Sequence, residues 1–399
     1  MFQRRRVQNI RCVYWKKVAT LVICVTIFFG CRFLLLSKRE VNNRLPQDFK
    51  ELRHRIPEQG NPAAAVGKST GIPEFLSHHA RIHGQSYAQV KFGDSCYEMD
   101  NRTFSYSKPH SDDKLTLRGC RKRFPDALII GSKQCSTVNL GHFLSFHPSI
   151  ALKHNRSSEV HFFDLHQDEG FAWYRDQLLY ATKQQVVMEN TPQYLTWPHD
   201  CAKKVHDYIS SKTKLVVILC DPVKRAIADY VASIAPRPRA DINKRRHYKI
   251  GNTFEQSVID NEYSVNSINY YNELIDAGVY IKHILPWLEY FPGNQMYIAD
   301  AGELASDPYA ELHRLEAFLG LPEFFFRGHF YFDEVKRLYC MAFPYKHCTN
   351  DGVDPLNYPD VDDAILDKLY EYYHPYDALL SDMFNRTFSW MGIYEELAL

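Results

Sequence analysis

The sequence has no excess of charge of either sign and no paired-cysteine pattern of the kind that holds structural zinc. Its 399 residues carry 48 Lys and Arg against 47 Asp and Glu, so attraction to a polyanion must come from local clusters, and no nucleic-acid partner is predicted. The ten cysteines include no Cys-x-x-Cys pair, and we expect no metal. Internal repeats are also lacking. The 45% hydrophobic content indicates a globular chain with one large domain or two small ones.

A short apolar run from Ala127 to Ile130 is followed by Gly131 and then by small and polar residues up to Thr137. This pattern predicts a strand, a tight turn and the start of a helix, which together present backbone N–H groups to a phosphate or sulfate. A Walker A loop would need a Lys directly before Ser136 and Thr137, and the sequence lacks it. A nucleoside triphosphatase is therefore not predicted.

Residues 18–36 form an apolar segment of about the length that spans a bilayer. Basic residues are frequent in the preceding residues 1–17, which favours a cytoplasmic tail, a type II signal anchor and a lumenal remainder. The alternatives are a cleaved signal peptide and a buried core helix. Cleavage would need a small-residue site, which Cys31-Arg32-Phe33 does not provide, and the flanking charges fit a core helix badly.

Cysteines and glycosylation sequons agree with a lumenal location. Ten cysteines less the three before residue 37 leaves seven, so at least one thiol is expected to be unpaired. The strongest predicted disulfide joins Cys340 to Cys348, and Cys96 with Cys120 is a second plausible pair. Sequons for N-glycosylation begin at Asn101, Asn155 and Asn385.

The rest of the chain divides into a stem with a small extension, residues 37–123, and a compact domain, residues 124–399. In the domain, apolar runs such as 127–130 and 215–219 alternate with helical stretches. This alternation predicts an α/β fold in which helices flank a parallel sheet, with ligands at the carboxyl ends of the strands. A final amphipathic helix is expected over residues 364–383.

Several segments in this domain, taken in order, resemble the heparan sulfate glucosaminyl 3-O-sulfotransferases. They are LIIGSKQCSTVNLGHFLSFHPSI, SSEVHFFD with GFAWYRDQL, MENTPQYL, LVVILCDPVKRAIADYV, FYFDEVKRLYC and NRTFSW. The resemblance covers about residues 125–391. It implies a P-loop-like α/β sulfotransferase fold, the donor 3′-phosphoadenosine 5′-phosphosulfate (PAPS), and heparan sulfate as acceptor in the Golgi.

The resemblance also assigns a catalytic group. Sulfo transfer is an in-line displacement in which a base takes the proton of the acceptor hydroxyl. Glu159 matches the family's catalytic base, and His161 and Asp164 match the residues that support the base and contact the acceptor sugar. The alternative is that Glu159 is only a solvated residue and His161 only a packed one.

The donor side departs from the family pattern at every expected cation. Only Gly131 and Thr137 keep the pattern of the first loop. Cys135 and Cys220 are interpreted as small fillers, with reactive thiols as the alternative. Lys133, Lys224, Arg225 and the backbone of Ser136 are possible substitutes for the lost cations. Residues that stand where the family has lysine, arginine, glycine or serine for the donor are Gln134, Cys135, Ser136, Val138, Asn190, Cys220, Ala228 and Val353.

Two functions from different classes follow. One is an enzyme that transfers a sulfo group from PAPS to a glucosamine hydroxyl of heparan sulfate. The other, which the donor-side residues favour, is a glycan-binding or regulatory pseudoenzyme; a different glycosaminoglycan sulfotransferase is a further alternative. A basic cluster is the candidate glycan contact, although such a run is often only a solvated loop. It contains Arg237, Arg239, Lys244, Arg245 and Arg246.

Overall fold

The computed structural model describes residues 87–100, 105–153, 159–235, 250–260, 267–344, 346–348 and 358–397. Its strands are β1 (Tyr97–Asp100), β2 (Ser105–Pro109), β3 (Arg121–Lys122), β4 (Ala127–Gly131), β5 (Ile150–Ala151), β6 (Tyr180–Ala181), β7 (Val186–Asn190), β8 (Lys214–Leu219), β9 (Ile259–Asp260), β10 (Ser267–Ile268), β11 (Met296–Asp300), β12 (Phe330–Asp333) and β13 (Leu338–Met341).

The α-helices between and around these strands vary from one turn to six. They are α1 (Tyr87–Phe92), α2 (Asp112–Leu117), α3 (Thr137–Ser145), α4 (Phe162–Leu165), α5 (Gly170–Gln177), α6 (Cys201–Lys204), α7 (Pro222–Ile234), α8 (Phe254–Val258), α9 (Glu273–Asp276), α10 (Tyr280–Leu288), α11 (Ala301–Ser306), α12 (Pro308–Leu319), α13 (Asp363–Phe384) and α14 (Gly392–Glu396).

A five-stranded parallel sheet in the order β11-β8-β4-β7-β5 forms the centre of the fold. Strands β4 and β8 are continuous apolar runs and lie almost wholly inside the protein. A parallel sheet covered on both faces requires such runs, because neither side of the strand meets water. The predicted parallel sheet flanked by helices is confirmed.

The order of the strands determines where the functional residues meet. Strands β8, β4 and β7 are neighbours and run in the same direction, so their carboxyl ends lie at one edge of the sheet. Gly131, Asn190 and Cys220 stand at or just beyond these three ends. The predicted anion loop and two further predicted donor positions are therefore brought together, as expected for an open α/β sheet.

Packed structure is present before residue 124, within the segment predicted as the stem and its small extension, and it starts at Tyr87 in the described part of the chain. Tyr87 in α1 belongs to the same hydrophobic core as β4 and β8, and its hydroxyl donates to the Phe146 carbonyl over 2.7 Å. The Cys96–Cys120 disulfide joins the start of β1 to the segment after α2. Scattered aromatic residues in a polar stretch carry little periodicity, which is why the pattern did not indicate a packed element.

Several predicted features lie outside the described residues. They are the tail and anchor (1–36), Asn101, Asn155, the basic cluster from Arg237 to Arg246, and Val353. Within the described residues, no helix is both long enough and apolar enough to cross a membrane. Asn385 is described: it is exposed and ends helix α13.

Buried Asp377 in α13 makes stability depend on pH. Its Oδ2 accepts hydrogen bonds from the indole of Trp390 and the hydroxyl of Tyr394, and burial raises its pKa to about 7. The pKa of an aspartate in the unfolded chain is about 4. Folding therefore takes up a proton at pH values between about 4 and about 7. We expect the free energy of unfolding to fall by about 2 to 4 kcal/mol as pH rises from about 4 to about 7.

Urea denaturation at several pH values measures this effect as the difference between wild type and Asp377→Asn, which cannot ionise. The advantage of the wild type over the variant should shrink as pH rises through that window. Asp382→Asn, an exposed substitution in the same helix, is the matched control and should leave the profile unchanged. Parallel profiles for wild type and Asp377→Asn would contradict the prediction.

Candidate active site

The loop after β4 has the close packing that its glycine requires. A Cβ on Gly131 would lie 2.6 Å from Cβ of Leu195, so a larger residue would displace the segment that follows β7. Gln134 and Ser136 both have positive φ values, 70° and 61°, a conformation that residues with a Cβ adopt at a cost. Ser136 then begins helix α3. The loop thus has the tight backbone turn predicted for an anion-binding loop, but residues other than glycine occupy its two positive-φ positions.

A disulfide joins Cys135 of this loop to Cys220 at the end of β8. The interpretation of Cys135 and Cys220 as separate small fillers is wrong, because the adjacent carboxyl ends of β4 and β8 place them side by side and their sulfurs are bonded. The Tyr280 hydroxyl donates to the Cys220 carbonyl over 2.8 Å and its oxygen lies 3.4 Å from Cys135 Sγ. A covalent bond and a buried phenol thus stand at two positions that the sequence comparison with the family predicted to face the donor.

Lys133, the best placed substitute for the missing lysine, is held by an ion pair. Its Nζ lies 2.8 Å from Oδ1 of Asp229, and the guanidinium of Arg225 lies 3.2 Å from Oδ2 of the same carboxylate. Burial would raise the pKa of Asp229, but the charges of Lys133 and Arg225 outweigh this effect and lower it. Lys133 and Arg225 therefore neutralise a buried carboxylate of α7. Lys224 is exposed, and its Nζ lies 3.5 Å from Oδ2 of Asp221.

The remaining donor positions present amide and methyl groups. Asn190 is buried, and its Nδ2 donates to the carbonyl oxygen of Thr137 over 3.2 Å. Thr137 itself is 4% exposed, and Ala228 is buried in α7. These contacts tie the end of β7 to the first turn of α3 without supplying a positive charge.

Glu159, His161 and Asp164, the predicted acceptor-side residues, are brought together in one cluster. His161 Nε2 lies 3.0 Å from a Glu159 oxygen, and Nδ1 lies 2.7 Å from Asp164 Oδ2. His161 has a positive φ of 52° and precedes the short helix α4, which turns its ring between the two carboxylates. Its backbone N–H donates to the Thr191 hydroxyl over 3.3 Å, so the cluster lies beside the segment that follows β7.

The two carboxylates decide the charge of His161. Burial on its own lowers the pKa of the imidazole, but the hydrogen bonds to Asp164 and Glu159 raise it to about 9. The ring is therefore protonated at neutral pH, with both N–H groups donated to carboxylates. Such an imidazolium holds the carboxylates of Glu159 and Asp164 in position.

Glu189 is a further buried acid at this site that pattern analysis missed. Its carboxyl group accepts a hydrogen bond from the Tyr174 hydroxyl over 2.9 Å and another from the Thr191 hydroxyl. Burial raises its pKa to about 7. The signal in the sequence was an acid inside the apolar strand β7. Thr191 contacts both Glu189 and the backbone of His161, so Glu189 is linked to the cluster through Thr191.

The other predicted cysteine pair is also present, since Cys340 and Cys348 are joined by a disulfide. Asp333 lies beside them, and the three residues have the spacing of a metal cluster. The oxidised sulfurs offer no thiolate ligand, so this cluster does not hold a metal. Cys201 is the free, buried cysteine of the described residues, in agreement with the odd count.

The residues present at the donor edge do not fit PAPS. A donor with two phosphates and a sulfate needs cations and open backbone N–H groups. The described positions instead carry a disulfide, a phenol, an amide and a lysine already paired with Asp229. We therefore derive no chemical step through the donor.

Comparison with known proteins finds similarity to sulfotransferases. A model of the sulfotransferase domain matches residues 124–374. The chain is 34% identical over 282 residues to heparan sulfate glucosamine 3-O-sulfotransferase 3A1 of Homo sapiens, which covers 70% of this chain and 65% of that protein. It is 31% identical over 278 residues to heparan sulfate glucosamine 3-O-sulfotransferase 6 of Homo sapiens, covering 68% and 75% respectively. The chain thus spans about 65% of the length of the first of these relatives.

Among solved structures, a sulfotransferase from Alicyclobacillus acidocaldarius aligns with a TM-score of 0.46 and 19% identity, over 66% of this chain and 97% of that one. The match to the domain extends over more than half of the chain, and the relatives share about a third of the aligned residues. The chain therefore belongs to the sulfotransferase family, and within it to the heparan sulfate glucosamine 3-O-sulfotransferases.

Proposed function

We propose that this protein binds a heparan sulfate type of glycan at the acceptor side of a sulfotransferase fold and has lost efficient use of PAPS. The Cys135–Cys220 disulfide carries the proposal, because it occupies two donor positions at once. The cluster of Glu159, His161 and Asp164 remains assembled. The predicted acceptor-side residues are therefore assembled, whereas the predicted donor positions carry no cation.

The energetic argument concerns the missing cations. A hydrogen bond to a charged group contributes about 1.5 to 3 kcal/mol, so the loss of four such contacts costs up to about 6 to 12 kcal/mol. These contributions are not additive, and half of the lower figure is a safer value. That still corresponds to about a hundredfold weaker donor binding, and the transition state loses charge stabilisation as well.

On the acceptor side, Glu159 can accept a hydrogen bond from a sugar hydroxyl, since its side chain is 21% exposed. Two carboxylates around one imidazolium leave a net charge of about −1, which does not attract a polyanion. We therefore assign the attraction to the basic cluster that contains Arg245 and Arg246, outside the described residues. Clustered basic side chains bind sulfated glycans in a salt-dependent manner without exact geometry.

Sulfo transfer to a glucosamine hydroxyl is the second candidate. One observation favours it: a protonated His161 orients the side chain of Glu159, which is the positioning that a base needs. Under this alternative, cations from undescribed segments would replace the lost ones. Labelled-sulfate transfer from PAPS to heparan sulfate separates the two functions, because only an enzyme shows transfer that Glu159→Gln abolishes.

The cellular setting is part of the proposal. We infer a single-pass type II Golgi protein anchored by residues 18–36, with the domain in the lumen. The apolar segment, its basic flank and the disulfides support this inference. Asn385, being exposed, is the described sequon that an oligosaccharide could occupy without loss of packing.

Glycan binding makes a direct prediction for heparin chromatography. Arg245→Gln combined with Arg246→Gln should elute from a heparin column at a clearly lower salt concentration than wild type, because two contacts with sulfate groups are lost. The matched control is Lys183→Gln with Lys212→Gln. These exposed lysines precede β7 and β8, at the amino ends of the two strands. Equal shifts for both variants, or no shift for either, would remove the cluster from the proposal.

A further inference from the structure

The Cys135–Cys220 disulfide differs from the other two in its position relative to helices. Cys135 directly precedes Ser136, the N-cap of α3, and Cys220 directly precedes Asp221, the N-cap of α7. The N-terminus of a helix stabilises negative charge, including that of a thiolate. The edge of the sheet that holds a phosphosulfate group in the family thus surrounds two sulfur atoms here.

The two helix ends differ in how they are capped, which distinguishes the two sulfurs. Asp221 accepts hydrogen bonds from the backbone N–H groups of Val223 and Lys224, so a carboxylate already uses the N-terminus of α7. Ser136 makes no such side-chain bond to the first turn of α3. A thiolate at Cys135 is therefore stabilised more than one at Cys220.

Solvent exposure favours Cys220, and not Cys135, as the sulfur that an incoming thiolate attacks. Cys135 is 1% exposed, whereas Cys220 is partly exposed. An incoming thiolate reaches Cys220, and Cys135 becomes the leaving group. This division of roles suits exchange, because the rate rises with the stability of the departing thiolate.

The other disulfides lack both properties. Cys348 Sγ lies 3.8 Å from a carboxylate oxygen of Asp333, which would repel a thiolate. Cys96 and Cys120 are both buried, and Cys120 follows the C-terminal end of α2, where its N–H bonds the Leu115 carbonyl. Negative charge is disfavoured beside a carboxylate or at a helix C-terminus.

We propose that the Cys135–Cys220 disulfide is a thiol-exchange site that reacts with low-molecular-weight thiols of the glutathione type. The thiolate of the small molecule attacks Cys220 Sγ and forms a mixed disulfide. The Cys135–Cys220 bond breaks, and its electron pair stays on Cys135 as a thiolate. A second molecule of the thiol then attacks the mixed disulfide, which yields the oxidised small-molecule disulfide and two protein cysteines in the reduced state.

Exchange at this site would release the loop 131–137 from the end of β8, since the disulfide is the covalent link between them. This activity uses neither Glu159 nor the basic cluster, so it stands or fails independently of glycan binding.

Equilibration of the full chain in glutathione buffers at pH 7, followed by acid quenching, alkylation and peptide mass spectrometry, tests the proposal. The poise of each buffer is the squared concentration of reduced glutathione divided by the concentration of oxidised glutathione. The Cys135–Cys220 pair should be half reduced at a value of this ratio at least about tenfold lower than the other two pairs require. This corresponds to a reduction potential about 30 mV higher. The Cys340–Cys348 and Cys96–Cys120 pairs are internal controls. Reduction of Cys135–Cys220 at the same ratio as these pairs, or only on unfolding, would overturn the proposal.

Single-serine variants test the order of attack. Cys135→Ser should accumulate a glutathione adduct on Cys220, whereas Cys220→Ser should leave the buried Cys135 largely unmodified. A preferred adduct on Cys135 would overturn the assignment. If the serine variants do not fold, rapid alkylation of wild type during reduction identifies the cysteine that carries the mixed disulfide.

Discussion

A variant with the family's donor residues restored should bind 3′-phosphoadenosine 5′-phosphate at least about a hundredfold more tightly than wild type. The substitutions are Gln134→Lys, Cys135→Gly, Asn190→Lys and Cys220→Arg. They return three cations and remove the Cys135–Cys220 bond that now joins the loop to β8. Three charged hydrogen bonds at about 1.5 to 3 kcal/mol each would add about 4.5 to 9 kcal/mol of binding free energy. A gain of about 3 kcal/mol, well below that sum, already raises the affinity about a hundredfold. Isothermal titration calorimetry measures it.

The control for this experiment separates charge from the crosslink. Cys135→Ser with Cys220→Ser removes the disulfide and adds no cation, so its affinity should stay close to that of wild type. Equal gains in both variants would mean that the crosslink, and not the missing charge, excludes the donor product. Micromolar binding by wild type, together with sulfo transfer that depends on Glu159, would refute the proposed loss of donor use.

Asp229→Ala should lower the free energy of unfolding by about 3 to 5 kcal/mol. Asp229 and Arg225 are each 1% exposed, and the carboxylate contacts both Arg225 and Lys133. Without it, the guanidinium stays buried with no opposite charge, although it still donates to the Leu274 carbonyl. The Coulomb energy lost in a dry interior is much larger than at a surface. Urea denaturation of the two proteins gives the difference.

Asp207→Ala is the matched control for Asp229→Ala. Asp207 also pairs with a lysine, Lys203, four residues away on one helical turn, but the pair lies at the surface. Water replaces the lost partner there, so no measurable change is expected. A similarly small effect for Asp229→Ala would contradict the assignment of a buried ion-pair network to Asp229.

Much of the sheet could be predicted from single segments. Strands β4 and β8 were recognisable because both of their faces are buried, which demands a continuous apolar run. Helix α13 was recognisable from its amphipathic period, and the structure places it at Asp363–Phe384. Strand β5 is two residues long, and α1 follows a polar stretch, so neither leaves a pattern long enough to detect.

The acceptor cluster was also accessible, because Glu159, His161 and Asp164 lie within one short segment that resembles the family. The role of Glu189 was not, since its meaning depends on Tyr174 and Thr191 around it. Burial by neighbouring elements raises its pKa. A residue letter inside a strand does not reveal which groups will surround it.

The chain by itself determined the parallel sheet, and it predicted the anion loop, the acceptor-side residues and the absence of donor cations at Gln134 and Asn190. The contacts that the predicted donor positions make depend on the tertiary structure. Cys135 and Cys220 are 85 residues apart, and Lys133 meets Asp229 from a distant helix. Their contacts exist because β4 and β8 run in parallel side by side, which brings the carboxyl ends of remote segments to one edge of the sheet.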